Sequence, residues 1–205
     1  MKIAVCSYKG GVSKTVTSIH VAAALSAHGK VIVVDSDPNR QAYTWHRRGH
    51  LLFEVVSDTE AAMGAAVGYD HIIFDTKARV EKQEVLSLSK GCDLLIVPCP
   101  PDALALQAGM QMIEDLRSAG SNKFRILATM VPPPPNNDRQ ELLETLDAAK
   151  VPYFQAFIRR LIAFSRAAGE GKLVCDIVDP RAAAAWAGYE QVGKEILEMG
   201  RRSNG

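Results

Sequence analysis

The chain has 205 residues, 47% of them hydrophobic and 23% charged, and a formal net charge of +1. That balance suits a soluble globular protein with a sizeable core, and it excludes both a disordered chain and one whose charge alone marks it for nucleic acid. No apolar run approaches the ~18 residues of a membrane span, and no basic-then-apolar signal peptide is present. Cys6, Cys92, Cys99 and Cys175 show no C-x-x-C spacing, so reduced, mostly buried thiols in a cytoplasmic protein are expected.

In chain order, apolar runs alternate with helical stretches. Strands are predicted at Ile3–Cys6, Val31–Asp35, Phe53–Val56, His71–Asp75, Leu94–Pro98 and Arg125–Val131, with a short one near Pro152–Phe154. Helices are predicted at Val16–His28, Arg40–Arg48, Thr59–Ala66, Lys82–Lys90, Ala103–Ser118, Arg139–Ala149, Leu161–Ala168 and Arg181–Met199, with Asp102 and Asp138 as N-caps. Most of the strands are near-continuous Val/Ile/Leu, as strands covered on both faces should be. Pro132 to Pro135 make a stiff loop at a strand end. Together these predict one α/β domain over residues 1–205: a doubly wound, mainly parallel sheet flanked by helices, with ligand at the carboxyl ends of its strands.

The first strand runs into Ser7-Tyr8-Lys9-Gly10-Gly11-Val12-Ser13-Lys14-Thr15, and a helix follows. In that setting successive backbone N–H groups curl round an oxyanion, and the helix N-terminus adds its positive end. Lys14 can then neutralise β/γ-phosphates, while the Thr15 hydroxyl can ligate Mg²⁺. Further on, Val33-Val34-Asp35-Ser36-Asp37-Pro38-Asn39 sets two carboxylates at a strand end, and Ile72-Ile73-Phe74-Asp75 ends another strand in an acid able to hold a Mg²⁺-bound water. No Ser-His-Asp set, H-E-x-x-H or Cys/His cluster is visible. His46 and His50 flank Arg47-Arg48 at what reads as an exposed helix end.

The loop is not the ordinary G-x-x-x-x-G-K-[ST], because Tyr8 and Ser13 stand at the two glycine positions. Its Lys-Gly-Gly-x-x-Lys-[Ser/Thr] pattern resembles the deviant Walker A motif of the ParA/MinD family of P-loop ATPases. Asp35-Ser36-Asp37-Pro38-Asn39 is similar to that family's Asp-x-Asp-Pro-Gln segment. Ile158-Arg159-Arg160 with Gly171-Lys172, and Asp179-Pro180-Arg181, are similar to its distal segments.

The resemblance implies a slow, partner-stimulated ATPase using ATP and Mg²⁺. Residues 9–16 (Lys9, Gly10, Gly11, Val12, Ser13, Lys14, Thr15, Val16) would cradle the nucleotide, with Lys9 crossing a sandwich homodimer to the opposite subunit's phosphates. Lys9, Lys14 and Asp37 would be catalytic, Asp37 by orienting the attacking water, and Thr15, Asp35 and Asp75 would organise the metal. Met130 and Pro132 would wall the adenine, and Arg159, Arg160, Arg166, Lys172 and Arg181 would meet DNA phosphates without sequence preference. A ParB-like protein or cargo adaptor would trigger release, so that a plasmid, chromosome region or protein cargo is moved on the nucleoid. The chain opens at its phosphate strand, as small ParA proteins do.

Departures from the family pattern are Ser13, Val16 and Lys77-Ala78-Arg79, which follow Thr76 where Pro-Gly or Pro-Pro is usual. A membrane-cycling ATPase like MinD is the alternative, but the chain ends Gly200-Arg201-Arg202-Ser203-Asn204-Gly205, without a bulky apolar tip, and no membrane partner is expected. A P-loop metabolic ligase is a third reading, although no second-substrate motif is present.

Overall fold

A computed structural model describes residues 1–49 and 51–203; His50, Asn204 and Gly205 lie outside the described residues. Seven strands, β1 (Lys2–Val5), β2 (Val31–Asp35), β3 (Glu54–Ser57), β4 (His71–Asp75), β5 (Leu94–Cys99), β6 (Phe124–Val131) and β7 (Tyr153–Arg159), pair in parallel throughout. Their order across the sheet is β3-β2-β4-β1-β5-β6-β7. The winding reverses beside β1, so the crevice where strand order switches opens at that strand's carboxyl end.

The strands are joined by α1 (Lys14–Ser26), α2 (Gln41–Arg47), α3 (Asp58–Glu60), α4 (Lys82–Gly91), α5 (Ala103–Ser118) and α6 (Asp138–Ala148), and α7 (Ile162–Glu170) and α8 (Ala182–Ser203) follow the last strand. Alternate strand residues feed two cores. Ile3 and Val5 face α1, α2, α7 and α8, while Ala4 and Cys6 face α4, α5 and α6. Covering both faces is what a parallel sheet requires.

Four element expectations are corrected, and the N-cap of α6 is Asn137, with Asp138 the first residue of the helix. The short strand near Pro152–Phe154 is the seven-residue β7. It lies at the sheet edge, and Glu195 of α8 closes that edge by accepting from Gln155 N (3.0 Å) and Ala156 N (2.8 Å). The predicted helix Thr59–Ala66 shrinks to one turn. Ser57 and Glu60 form a capping box that starts it, but Gly64 adopts φ 100 and the chain passes into a π-turn over Ala61–Ala65. The third strand and last helix start one residue later than expected, at Glu54 and Ala182.

Helix α8 docks on the domain through the buried Tyr189, Val192 and Ile196. It lies so close to α1 that a Cβ added at Gly193 would sit 3.0 Å from the Ala24 Cβ. Deep under α1, His20 packs edge-on to Trp45 and Phe164 and stacks on Tyr189, with ring centroids 4.9 Å apart. Its Nδ1 is 2.7 Å from Val16 O and its Nε2 accepts from Val174 N at 3.0 Å. Both ring nitrogens are thus satisfied in the neutral form, and burial pushes the imidazole down to about 4.

Candidate active site

The site is built where β1, β4 and β2 end side by side. Register pairs Val5 with Asp75 and Asp75 with Asp35, so two strand-terminal acids stand in a row next to the loop leaving β1. That loop turns through Gly11 (φ 74) and Ser13 (φ 67), both left-handed. Glycine tolerates this at no steric cost, whereas a residue with a Cβ does not, so Ser13 holds a strained conformation of the kind concentrated at ligand-binding turns. Its hydroxyl donates to Val12 O (2.5 Å) instead of capping α1. The first N–H groups of α1 therefore keep their capacity for a ligand anion. Gly10 lies beneath the segment after β4: a Cβ there would be 3.7 Å from the Ala78 Cβ.

Lys14 is 7% exposed. Burial lowers its pKa, and the carboxylates of Asp75 and Asp37 pull in the opposite direction. Asp75 has no exposure and accepts from Thr15 Oγ1 (2.8 Å) and Ser18 Oγ (2.8 Å). Burial raises this carboxyl to about 7, more than the two hydroxyls lower it, and Asp35 adds to the rise. Asp35 is also fully buried, but backbone groups use its oxygens: Oδ1 accepts from Asp37 N (3.0 Å) and Oδ2 from Tyr43 N (2.8 Å). It shapes the turn that presents Asp37. Asp37 in turn accepts from Asn39 N and Asn39 Nδ2 at 2.8 and 2.9 Å, and Arg40, at φ 51, bonds Asp35 O through its guanidinium.

The two loop lysines part company. Lys14 lies under the loop, but Lys9 turns outward and pairs with Asp102 Oδ1 at 2.7 Å. Asp102 caps α5 as expected, accepting from Ala105 N at 2.9 Å; its reach to Lys9 is the addition. The neighbouring Tyr8 donates to Asp115 Oδ2 (2.8 Å), and Lys82 reaches the other oxygen of that carboxylate (2.6 Å). Lys77 pairs with Glu84 at 2.9 Å on α4 and does not turn towards the loop, while Thr76 Oγ1 ties the same segment to Val5 O (2.8 Å).

Val16 and Ser13 open onto a cavity of about 680 Å³, whose other walls include Met130, Ile158, Ile162 and Phe164. Met130 lines it at φ 52; Pro132 does not line it. Arg159, Arg160 and Arg181 do, although each is exposed. Arg159 stacks over the Phe157 ring at 5.5 Å. Arg181 and Arg166 approach Asp179 at 3.3 and 3.9 Å, and Lys172 pairs with Glu170 at 2.8 Å. The five basic residues thus rim the cavity and its neighbouring helices, three of them in ion pairs.

The chain's first core strand to the turn after α7, residues 3–174, matches the family model for the CobQ/CobB/MinD/ParA nucleotide binding domain. The chain is similar to the maintenance of carboxysome distribution protein A of Gloeobacter kilaueensis, with 32% identity over 200 residues that cover 95% of this chain and 93% of the relative. Its fold is similar to MinD cell division protein from Aquifex aeolicus (TM-score 0.74, 16% identity, 96% of each chain). It is also similar to a putative plasmid partition protein from Borrelia burgdorferi B31 bound to AMPPNP (TM-score 0.71, 17% identity, 98% of each chain). Among the described residues no helix is long and apolar enough to cross a membrane.

Proposed function

Because the chain belongs to the CobQ/CobB/MinD/ParA nucleotide-binding family, we propose that it is an ATPase of the ParA type that closes on a second copy of itself, holds DNA non-specifically and positions a cargo. The observation that carries this reading is the division of labour between its two loop lysines. Lys14 is buried beside Asp75 and Asp37, where the chain's own triphosphate would lie, whereas Lys9 pairs with Asp102 outside that pocket and would have to leave that carboxylate to meet a facing subunit's phosphates.

Mg²⁺ fits the donors present. Thr15 Oγ1 and Asp75 Oδ2, 2.8 Å apart, are hard oxygen ligands, and no cluster of three or more His, Cys, Asp or Glu forms a ready cage among the described residues. Mg²⁺ prefers this arrangement, with one or two protein oxygens and the rest from phosphate and water. When bound, it neutralises charge on the phosphates. The chain's own part is to aim Lys14 and the α1 N–H groups at those phosphates, and to orient water through Asp37, itself held by the Asp35-organised turn. The base would enter the cavity beside Met130 and Val16. The name of the Gloeobacter relative, which speaks of carboxysome distribution, favours a large protein assembly as cargo.

The test is retention on random duplex DNA with and without ATP and Mg²⁺. Wild type should bind only with nucleotide, Lys9→Ala should lose that binding, and Asp37→Ala should keep or prolong it. Binding should weaken steeply with salt, since lysine and arginine contacts to phosphate release counterions. Equal retention of all three proteins regardless of nucleotide would sink the reading.

A further inference from the structure

We propose that Asp102 is a positioning residue for Lys9. It holds that lysine to its own subunit and so sets the protein concentration at which ATP can pair two copies. This rests on the sandwich reading above.

The geometry separates a fixed partner from a movable one. The Asp102 carboxylate cannot swing freely, because Oδ1 accepts from Ala105 N at 2.9 Å as the cap of α5, and Pro100 and Pro101 stiffen the chain before it. The same Oδ1 takes the Lys9 ammonium at 2.7 Å, with the two side chains 31% and 46% exposed. The Lys9 bond is the largest cause holding the Asp102 carboxyl below its ordinary value. If Lys9 leaves, the carboxylate remains charged and satisfied by the helix end, so release strands no buried group. Lys9 therefore has two competing destinations: the chain's own Asp102, or a partner's phosphates. Leu104, two residues after Asp102 in the first turn of α5, is 68% exposed.

Asp102→Asn is the discriminating change, because asparagine caps a helix as well as aspartate does but carries no charge. An exposed ion pair is worth about 1.4- to 5-fold in an equilibrium, and two such contacts open per pair of subunits, so the dimerisation threshold with ATP and Mg²⁺ should fall about 2- to 30-fold. Analytical ultracentrifugation across a concentration series reads that threshold. The gap between the two proteins should shrink in high salt.

A second readout needs no dimer. Limited acetylation by acetic anhydride, followed by mass spectrometry, should label Lys9 faster in Asp102→Asn than in wild type, with Lys90 as the internal reference. Unchanged Lys9 labelling overturns the proposal. So does faster labelling with an unchanged threshold. If neither protein pairs with ATP at any concentration while Lys9 labelling still accelerates, the sandwich reading fails, and the restraint of Lys9 by Asp102 survives it.

Discussion

Helix α1 passes two buried ionisable groups within two turns, and the fold finishes them differently. His20 has a partner at each ring nitrogen and an aromatic wall around it; it is neutral, complete and part of the packing. Asp75 has two hydroxyls but no ammonium or guanidinium among its hydrogen-bond donors, and burial lifts it to about 7. A polar group that the protein has satisfied supports the fold. An acid that the protein has desolvated and given no cation at hydrogen-bond distance, next to an anion-binding loop, supports chemistry.

The sharpest way to break this contrast is to neutralise the acid. Asp75→Asn should lower ATP turnover on the order of 10²–10³-fold, the usual loss when one oriented polar group is removed from a phosphoryl or acyl transfer site. It should also leave stability at pH 8 unchanged or higher, since a buried charge has gone. A full-activity Asp75→Asn would make the two sites equivalent.

The converse change is His20→Ala, expected to cost about 2–4 kcal/mol in urea unfolding through a cavity and two unpaired backbone groups, with turnover per folded molecule retained. Loss of turnover at full stability would reverse the assignment.

The smallest effect concerns pH. His20 titrates lower in the fold than unfolded, so its contribution to stability is lost as pH falls from 6.5 towards about 4. Asp75 titrates higher in the fold, up to about 7 from an ordinary 3.8, so its contribution is present at low pH and lost as pH rises through that range. Between about pH 4 and 6.5 the two slopes oppose each other. Asp75→Asn should therefore expose the His20 slope, up to about 1.4 kcal/mol per pH unit, rising with pH. Denaturation at pH 5 and 6 measures it, and identical slopes in wild type and variant would refute the opposition.

The nucleotide loop was legible in sequence because it is local: one strand, nine residues and one helix. So were the acids Asp35 and Asp75, which end aliphatic runs. Their adjacency was not, since it depends on β4 inserting between β2 and β1, and no short-range pattern encodes that order. Ser18 could have been found, as it lies three residues after Thr15 on the same helical face. The full length of β7 was missed for a different reason. An edge strand buries alternate residues, here Phe154, Ala156 and Ile158, and so lacks the continuous run that announced the others. Asp102 was legible as a cap but not as a partner of Lys9, because the contact spans 93 positions and arises only from β5 lying beside β1.

One detail at the far rim bears on how the protein behaves in a crowded cell. Glu195 plugs the backbone donors of β7, leaving the opposite border, β3, as the margin where a foreign strand could be stitched on. Leu52, 95% exposed, projects just ahead of that margin. Misassembly should therefore begin there and be suppressed by a charge at that position.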